Sequence, residues 1–375
     1  MSRLRFVVFF GMAITIYLLL NFYIFIRGWE ALHQTPLATT YLTTFVVLSW
    51  SFVAGRFLER VSLTWFSSVL VWLGSFWLAA MVYFLFAVVL VDILRLVNAI
   101  VPFIPDSLSG EAVAFAVCSM VFFVVLLGYF NARSPRIKVL DLAIPKNSHN
   151  RKELNVVVAS DIHLGTIICK SRLERIVSQI NALQPDVVLL PGDVVDEDIG
   201  PVIRQNLGET LRKINSRLGV FAVTGNHEYI GGVEEACRYL GDHGITMLRD
   251  ESVMIDDRVY IVGREDRSIG SGRRKSLDDL LLRVDKSFPV ILMDHQPFRL
   301  EEAENAGVDL QLSGHTHHGQ LWPFNFITKK VYELSWGYKK KGNTHVYVSC
   351  GVGTWGPPVR TGNRPEIINM KLRFA

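Results

Sequence analysis

The sequence predicts a bundle of membrane-crossing helices followed by an α/β domain, and three observations predict it. Apolar residues make up 50% of the 375-residue chain, and they crowd into the part before Ala132. Only six of the 39 lysines and arginines lie in that part. Beyond it, short apolar runs alternate with polar, glycine-bearing turns and helix-like stretches, the pattern of an α/β fold. A chain this long exceeds one ordinary core and suits two units. The expected division is a helical membrane region over 1–131, a linker over 132–152 and a soluble domain over 153–375.

A helix needs roughly 20 mostly apolar residues to cross the hydrocarbon of a bilayer. Residues 6–26, 41–53 extended at its ends, 70–94 and 112–130 meet that need, giving about four spans. Ser49 and Ser51 dilute the second, and Gly55-Arg56 closes it. The third belongs to an apolar run over 63–100 with room for a break at Gly74, and Asp92 and Arg95 near its end are placed at the interface. A buried helical core would need amphipathic faces that these segments lack. A cleaved leader accounts for one apolar run, not four. With four spans, Arg3, Arg5, Arg56, Arg60, Arg133, Arg136 and Lys138 share one side, and Arg27 and Arg95 lie on the other. Positive charge favours the cytoplasmic side, so the N-terminus and the soluble domain are expected there. Three or five spans would move the domain outside.

The net charge of +4 is too small to steer a nucleic-acid partner. Cys118, Cys169, Cys237 and Cys350 show no CxxC spacing. They read as isolated thiols, not as a disulfide framework or a thiolate metal site.

In the soluble part, the ends of the apolar runs carry the chemistry. The run over 154–159 leads into Ser160-Asp161-Ile162-His163, and that over 186–190 into Pro191-Gly192-Asp193. The run over 220–223 leads into Thr224-Gly225-Asn226-His227-Glu228. The runs over 289–293 and 308–312 lead into Asp294-His295-Gln296-Pro297 and Ser313-Gly314-His315-Thr316-His317. Ligands at the C-terminal ends of strands converge on one crevice of an α/β sheet. In an extended segment alternate residues face the same way, so Asp161 with His163, and His315 with His317, are each expected to reach one ion. Gly192, Gly225 and Gly314 let the chain turn sharply and approach a metal or a phosphate.

This ordered set, D-x-H, G-D, G-N-H-[DE], H and G-H-x-H, resembles the signature of the calcineurin-like metallophosphoesterases over about 154–364. The resemblance implies a four-layer αββα sandwich with two mixed sheets and a metal-dependent phosphoric ester or pyrophosphate hydrolase. It implies that Asp161, His163 and His317 hold one divalent ion and that Asn226, His295 and His315 hold another. Asp193 would bridge them together with an attacking hydroxide, and His227 would act on the leaving oxygen. Two cations about 3.5–4 Å apart lower the pKa of a shared water and clamp a phosphoryl group. A mixed N/O donor set suits Mn, the expected metal, and equally Fe, Zn, Co or Mg. Ligating histidines need acceptors behind them, for which Asp196, Glu228 and Asp294 are available. A lone histidine behind a strand is more often structural, so His295 reads as a ligand only through the ordered set. His149, His243 and His345 fit no motif and read as surface or loop residues. His318 stands where related sequences carry glycine, and reads as neutral.

The His295-Gln296-Pro297 and His315–Gln320 segments, with the late glycine-rich residues 351–356 and 360–365, resemble a membrane-associated bacterial branch of the family. Some of its members cleave the pyrophosphate of UDP-2,3-diacylglucosamine. The branch implies a multi-pass protein of the bacterial inner membrane acting on a phospholipid- or glycolipid-type phosphoester. Basic groups at Arg273-Arg274-Lys275, Lys329-Lys330 and Lys339-Lys340-Lys341 fit an anionic lipid surface. Leu321, Trp322, Phe324, Phe326, Tyr332, Trp336 and Tyr338 are interleaved with them, as in an interfacial loop. Arg360 and Arg364 are expected either to grip phosphate oxygens or to lie on the surface. The alternatives are a phosphodiesterase acting on a soluble nucleotide, or a non-catalytic membrane sensor built on the same fold. An intact set of motif residues disfavours the sensor.

Overall fold

The computed structural model describes residues 3–105, 107–146, 152–270 and 273–375, so His149 lies outside the described residues. The chain divides into two compact units, one over 1–129 with 356–359, the other over 130–355 with 360–375.

The first unit holds four long helices, α1 (Arg3–Leu32), α2 (Ala38–Val61), α3 (Trp65–Ile100) and α4 (Gly110–Ala132). All four are long and apolar enough to cross a membrane. α3 runs unbroken through Gly74 for 36 residues, so the room for a break there is not used. Gly74 is small for a different reason, since a Cβ there would collide with the Phe52 backbone of α2. Gly55 of α2 reciprocates, where a Cβ would lie 2.7 Å from the Val71 nitrogen. Small residues at a helix contact let backbones approach and gain dispersion energy where lipid offers no hydrophobic drive. Thr64 and Ser67 form a capping box at the start of α3. Asp92 does not simply face the interface; Arg27 Nε of α1 lies 2.9 Å from its carboxylate, so the charge is partnered within the bundle.

The second unit contains twelve strands among the described residues. In chain order they are β1 (Arg136–Ile144), β2 (Glu153–Val158), β3 (Val187–Pro191), β4 (Val220–Val223), β5 (Thr246–Met247), β6 (Glu251–Ile255), β7 (Val259–Gly263), β8 (Val290–Met293), β9 (Leu310–Ser313), β10 (Gly337–Lys341), β11 (Thr344–Val348) and β12 (Glu366–Phe374). They build two six-stranded sheets, β1-β12-β2-β3-β4-β5 and β10-β11-β9-β8-β7-β6. Both are mixed: β2, β3, β4 and β5 are parallel while β12 runs antiparallel to β2. In the other sheet β7, β8, β9 and β11 are parallel between antiparallel edges. The stretch 132–152, expected as a linker, instead supplies β1, which pairs along its length with β12.

Alternation explains the layering. On β2, Leu154, Val156 and Val158 enter the core between the sheets, and on β8 Ile291 and Met293 join them. The intervening Val290 and Leu292 face the other way, against Leu277, Leu280 and Leu281 of a covering helix. The first sheet is covered by the helix Lys170–Ala182 through Leu173, Ile176, Val177 and Ile180. Strands buried on both faces read as continuous apolar runs, the pattern that opened each motif. The result is a helix–sheet–sheet–helix stack, as the resemblance implied.

Candidate metal centre

Each catalytic motif sits just beyond the C-terminal end of a parallel strand: Asp161 and His163 after β2, Asp193 after β3, Asn226 and His227 after β4, His295 after β8, His315 and His317 after β9. Three come from one sheet and two from the other, and the structure brings all eight residues together. Asp161, His163 and His317 form one cluster of ligand atoms, and Asp193, His295 and His315 form a second, each spanning no more than 4.8 Å. The Asn226 Oδ1 lies 2.7 Å from His315 Nδ1 and so joins the second. Asp193 lies between the two, with Oδ2 3.1 Å from His295 Nε2 and 3.9 Å from His163 Nε2.

The donor set fits divalent cations. Nε2 of His163 and Nε2 of His317 face each other at 2.9 Å, and His317 Nε2 is 3.6 Å from Asp161 Oδ1. Two imidazole nitrogens and a carboxylate converging on one point are a mixed N/O donor set that suits a divalent cation. The backbone at these positions differs from expectation. Asp161 and His163 are not extended; both are left-handed, with φ of 53° and 54°. Asp193, His315, His317 and His318 share that region at 50°, 72°, 45° and 47°. Each costs on the order of 1–3 kcal/mol for a residue with a Cβ, and the surrounding packing holds that strain where the side chains must converge. Two motif glycines have a more specific reason than turning. A Cβ at Gly225 would collide with the Asp193 carboxylate, and one at Gly314 with the Ser160 hydroxyl and the Asp161 carboxylate.

Electrostatics agree with a site built for positive charge. Burial pushes the Asp193 carboxyl up, but His295, His227 and His163 outweigh it and hold it well below the usual range. Burial disfavours a charged His295, yet the carboxylates of Asp193 and Asp161 raise it well above an ordinary imidazole. His315 is pushed down to about 4 by burial and by His295. His317 is lowered by burial, His163 and Arg360. For His227 burial works downward, but Asp196, whose Oδ1 is 3.0 Å from Nδ1, and Asp193 raise it to about 9.

The supporting residues depart from expectation in several places. Asp196 does stand behind the histidines, 3.5 Å from His163 Nδ1 as well as beside His227. Glu228 instead accepts the backbone N–H groups of Asp193, Val195 and Gly225, tying two motif loops together. Asp294 faces Arg264 and Arg274, and the acceptor behind His295 Nδ1 is the Pro191 carbonyl at 2.7 Å. Arg360 is neither on the surface nor open to phosphate. It is fully buried, its Nη2 donates to the Cys350 and Gly353 carbonyls and lies 3.0 Å from His317 Nδ1, so it props a predicted ligand. Arg364 donates to the Ser134 carbonyl. His318 is buried with Nδ1 3.0 Å from Ser335 Oγ. His345 is a buried residue of β11, not a surface one, held by Tyr338 and the Ala143 carbonyl. His243 is half-buried beside Tyr239. No local motif marks Arg360: Cys350, Gly353 and Asn363 are near in sequence, but His317, the partner that gives it its place in the site, is 43 residues away.

A two-sheet stack that gathers histidines, carboxylates and an asparagine into two adjoining clusters defines a metal-dependent phosphoester hydrolase. The chain belongs to the calcineurin-like phosphoesterase family, whose profile matches residues 154–319. It is 34% identical over 261 residues to an uncharacterized metallophosphoesterase of Helicobacter pylori, covering 67% of this chain and 69% of that one. An uncharacterized metallophosphoesterase of Aquifex aeolicus is 33% identical over 265 residues, covering 68% of this chain and 98% of that one. A transmembrane protein with metallophosphoesterase domain from Danio rerio is 34% identical over 264 residues, covering 66% of this chain and 60% of that one.

Proposed function

We propose that the protein is a phosphodiesterase or pyrophosphatase of the bacterial inner membrane that acts from the cytoplasmic side on a lipid-linked substrate similar to UDP-2,3-diacylglucosamine. The observation that carries the lipid reading is an exposed apolar and basic edge directly after the His315–His317 motif. Trp322, Phe326, Ile327 and Val331 are each more than half exposed, and the helix Asn325–Val331 ends with Lys329 and Lys330. A contiguous exposed apolar patch marks an interaction surface, and cations beside it favour anionic headgroups. Trp336 supports the fold instead: it donates to Glu366 and carries Arg136 over its ring.

In this reading Asp161, His163 and His317 would hold one divalent ion and Asn226, His295 and His315 the other, and Asp193 would serve both. The ions, with Mn expected, supply Lewis acidity and a hydroxide nucleophile at neutral pH. His227, protonated below about pH 9, faces the same space and delivers a proton to the leaving oxygen. The Asp196 carboxylate stands behind its ring, with Oδ1 3.0 Å from Nδ1, and favours the protonated form. The exposed Trp355 stands beside His227, 6.1 Å away between ring centroids.

The test is hydrolysis of bis-p-nitrophenyl phosphate, p-nitrophenyl phosphate and a UDP-linked acyl sugar by detergent-purified protein. Each is measured after chelation and after restoring Mn²⁺, Mg²⁺ or Zn²⁺. Metal-dependent cleavage that prefers the acyl sugar and vanishes in Asp193→Asn is expected. Preference for a soluble diester over the acyl sugar sinks the lipid-linked substrate.

A further inference from the structure

A second concavity of the soluble unit lies outside the metal centre. Its volume is about 650 Å³, and Arg264, Arg267, Arg274, Lys275 and Arg299 line it together with Glu302. These cations come from separate stretches: the end of β7, the turn Arg267–Ile269, the residues before the helix Leu277–Leu281, and the residue before the helix Leu300–Asn305. The fold has gathered them, so they are not one solvated charge run.

The carboxylates nearby do not balance them. Asp294 is shared by Arg264 at 3.2 Å and Arg274 at 2.5 Å. Glu302 is shared by Arg264 and Arg299, both at 2.9 Å. Among the described residues, Arg267 Nη2 donates to the Phe298 carbonyl and Lys275 Nζ to the Asp250 carbonyl, and neither meets a carboxylate there. Asp278 at the wall and Asp250, whose Oδ2 accepts the Lys275 backbone N–H at 2.8 Å, add two further carboxylates. Five cations therefore meet four acids. The Nε–H groups of Arg264, Arg267 and Arg274 are buried and have no hydrogen-bond partner among the described residues. Leaving a buried charged donor unmade is costly, and burial together with the Arg274 and Arg264 charges depresses the Arg267 guanidinium.

We infer that this pocket binds an organic phosphate or diphosphate carrying at least two negative charges, gripped by Arg267, Lys275 and Arg299 above Arg264 and Arg274. Guanidinium forks match pairs of phosphate oxygens, and a volume within the range of small-molecule sites holds more than a lone phosphate. A run of side-chain contacts leads from the pocket toward the metal centre. Asp294, paired with Arg264 and Arg274, immediately precedes His295, and Arg267 lies over Phe298 at 5.4 Å, which meets Tyr332 at 4.8 Å, which meets His315 at 6.1 Å. The anion is thus either a second phosphate of a substrate or a free polyphosphate. The inference stands independently of the lipid-linked reading.

The experiment is a calorimetric titration of full-length, detergent-purified protein with inorganic pyrophosphate, after chelation and dialysis so that no metal is present. One site per chain is expected, weakened by raised salt and weakened about tenfold or more in the double variant Arg267→Gln/Lys275→Gln. Arg299→Gln, at an exposed side chain that cannot disturb the core, gives a smaller loss in the same direction. Asp193→Asn keeps the binding. Absence of binding, or binding lost in Asp193→Asn and kept in the double variant, overturns the pocket. With Mn²⁺ restored, pyrophosphate that raises KM for the diester identifies a substrate subsite, and one that changes kcat identifies a separate effector. Either effect must disappear in the double variant, and its persistence there also overturns the pocket.

Discussion

At the scale of single residues, the metal centre depends on atoms that must be missing as much as on those present. Gly225 has an ordinary negative φ of −114°, so alanine is conformationally allowed there. The obstacle is space: the new Cβ would meet the Asp193 nitrogen at 2.7 Å and collide with its carboxylate. Gly225→Ala should therefore fold yet lose metal, with content measured by mass spectrometry falling below the two ions per chain expected of the parent. His227 makes a separable prediction. Its folded pKa is raised to about 9 by Asp196 and Asp193 against burial, so the proton is present below that pH and lost as pH rises through it. Turnover of an alkyl phosphodiester, whose leaving oxygen needs a proton, should fall above about pH 9, and His227→Gln should remove that limb with a loss of roughly 10²–10⁴-fold. A p-nitrophenyl leaving group needs little proton assistance and should lose far less; equal losses on both would rule out the acid role. The identities of these residues were legible in the chain because their order and their apolar lead-ins are local. Their left-handed backbone was not, since a D-x-H string reads as extended until tertiary contacts over-determine it. Arg360 was illegible for a related reason: an arginine in a glycine-rich tail gives no sign that it will be buried under His317.

At the scale of elements, apolar runs announced β2, β3, β4, β8 and β9 because strands covered on both faces need little alternation. β1 was hidden. Its sequence places Ile137, Val139, Leu142 and Ile144 among charges, and its partner β12 lies more than 200 residues onward, so no local signal separates it from a linker. The short helix Asn325–Val331 was read as part of an interfacial loop, and none of its residues is buried. Phe326, Ile327 and Val331 leave an apolar edge uncovered on this helix beside Lys329 and Lys330, and the proposed partner is the bilayer surface. Phe326→Ser with Ile327→Ser should leave hydrolysis of bis-p-nitrophenyl phosphate within about twofold, because exposed substitutions away from packed features change stability little. The same pair should lower turnover of a vesicle-held acyl-sugar diphosphate by about tenfold or more, at roughly 1–2 kcal/mol for each exposed side chain withdrawn from lipid. Equal rates on the vesicle substrate would detach this helix from substrate capture.

At the scale of the whole molecule, the two units have different solvents, and composition alone separates them. Apolar side chains such as Phe122, Phe123 and Leu127 on α4 stand exposed, a costly surface in water and an ordinary one in hydrocarbon. The number of spans then sets which side of the membrane receives the substrate. With four helices, the N-terminus and the soluble domain share a side, and the basic residues flanking α2 and α4 on that side, Arg56, Arg60, Arg133, Arg136 and Lys138, oppose only Arg27 and Arg95. Arg27 weighs less still, because Asp92 and Glu30 already pair with it. The expected arrangement is therefore cytoplasmic, and reporters fused after Ala375 measure it directly in bacterial cells. A fluorescent protein that matures only in the cytoplasm should glow, and an alkaline phosphatase that needs the oxidising periplasm should stay silent. The reverse pattern would mean that one of the four helices does not cross, and α2, with its serines and the charges in its last two turns, is the first to check. Replacing Arg56 and Arg60 by glutamine should weaken the bias of α2 without touching the metal centre. A mixed reporter signal in that variant, against a uniform one in the parent, would assign the orientation to these charges.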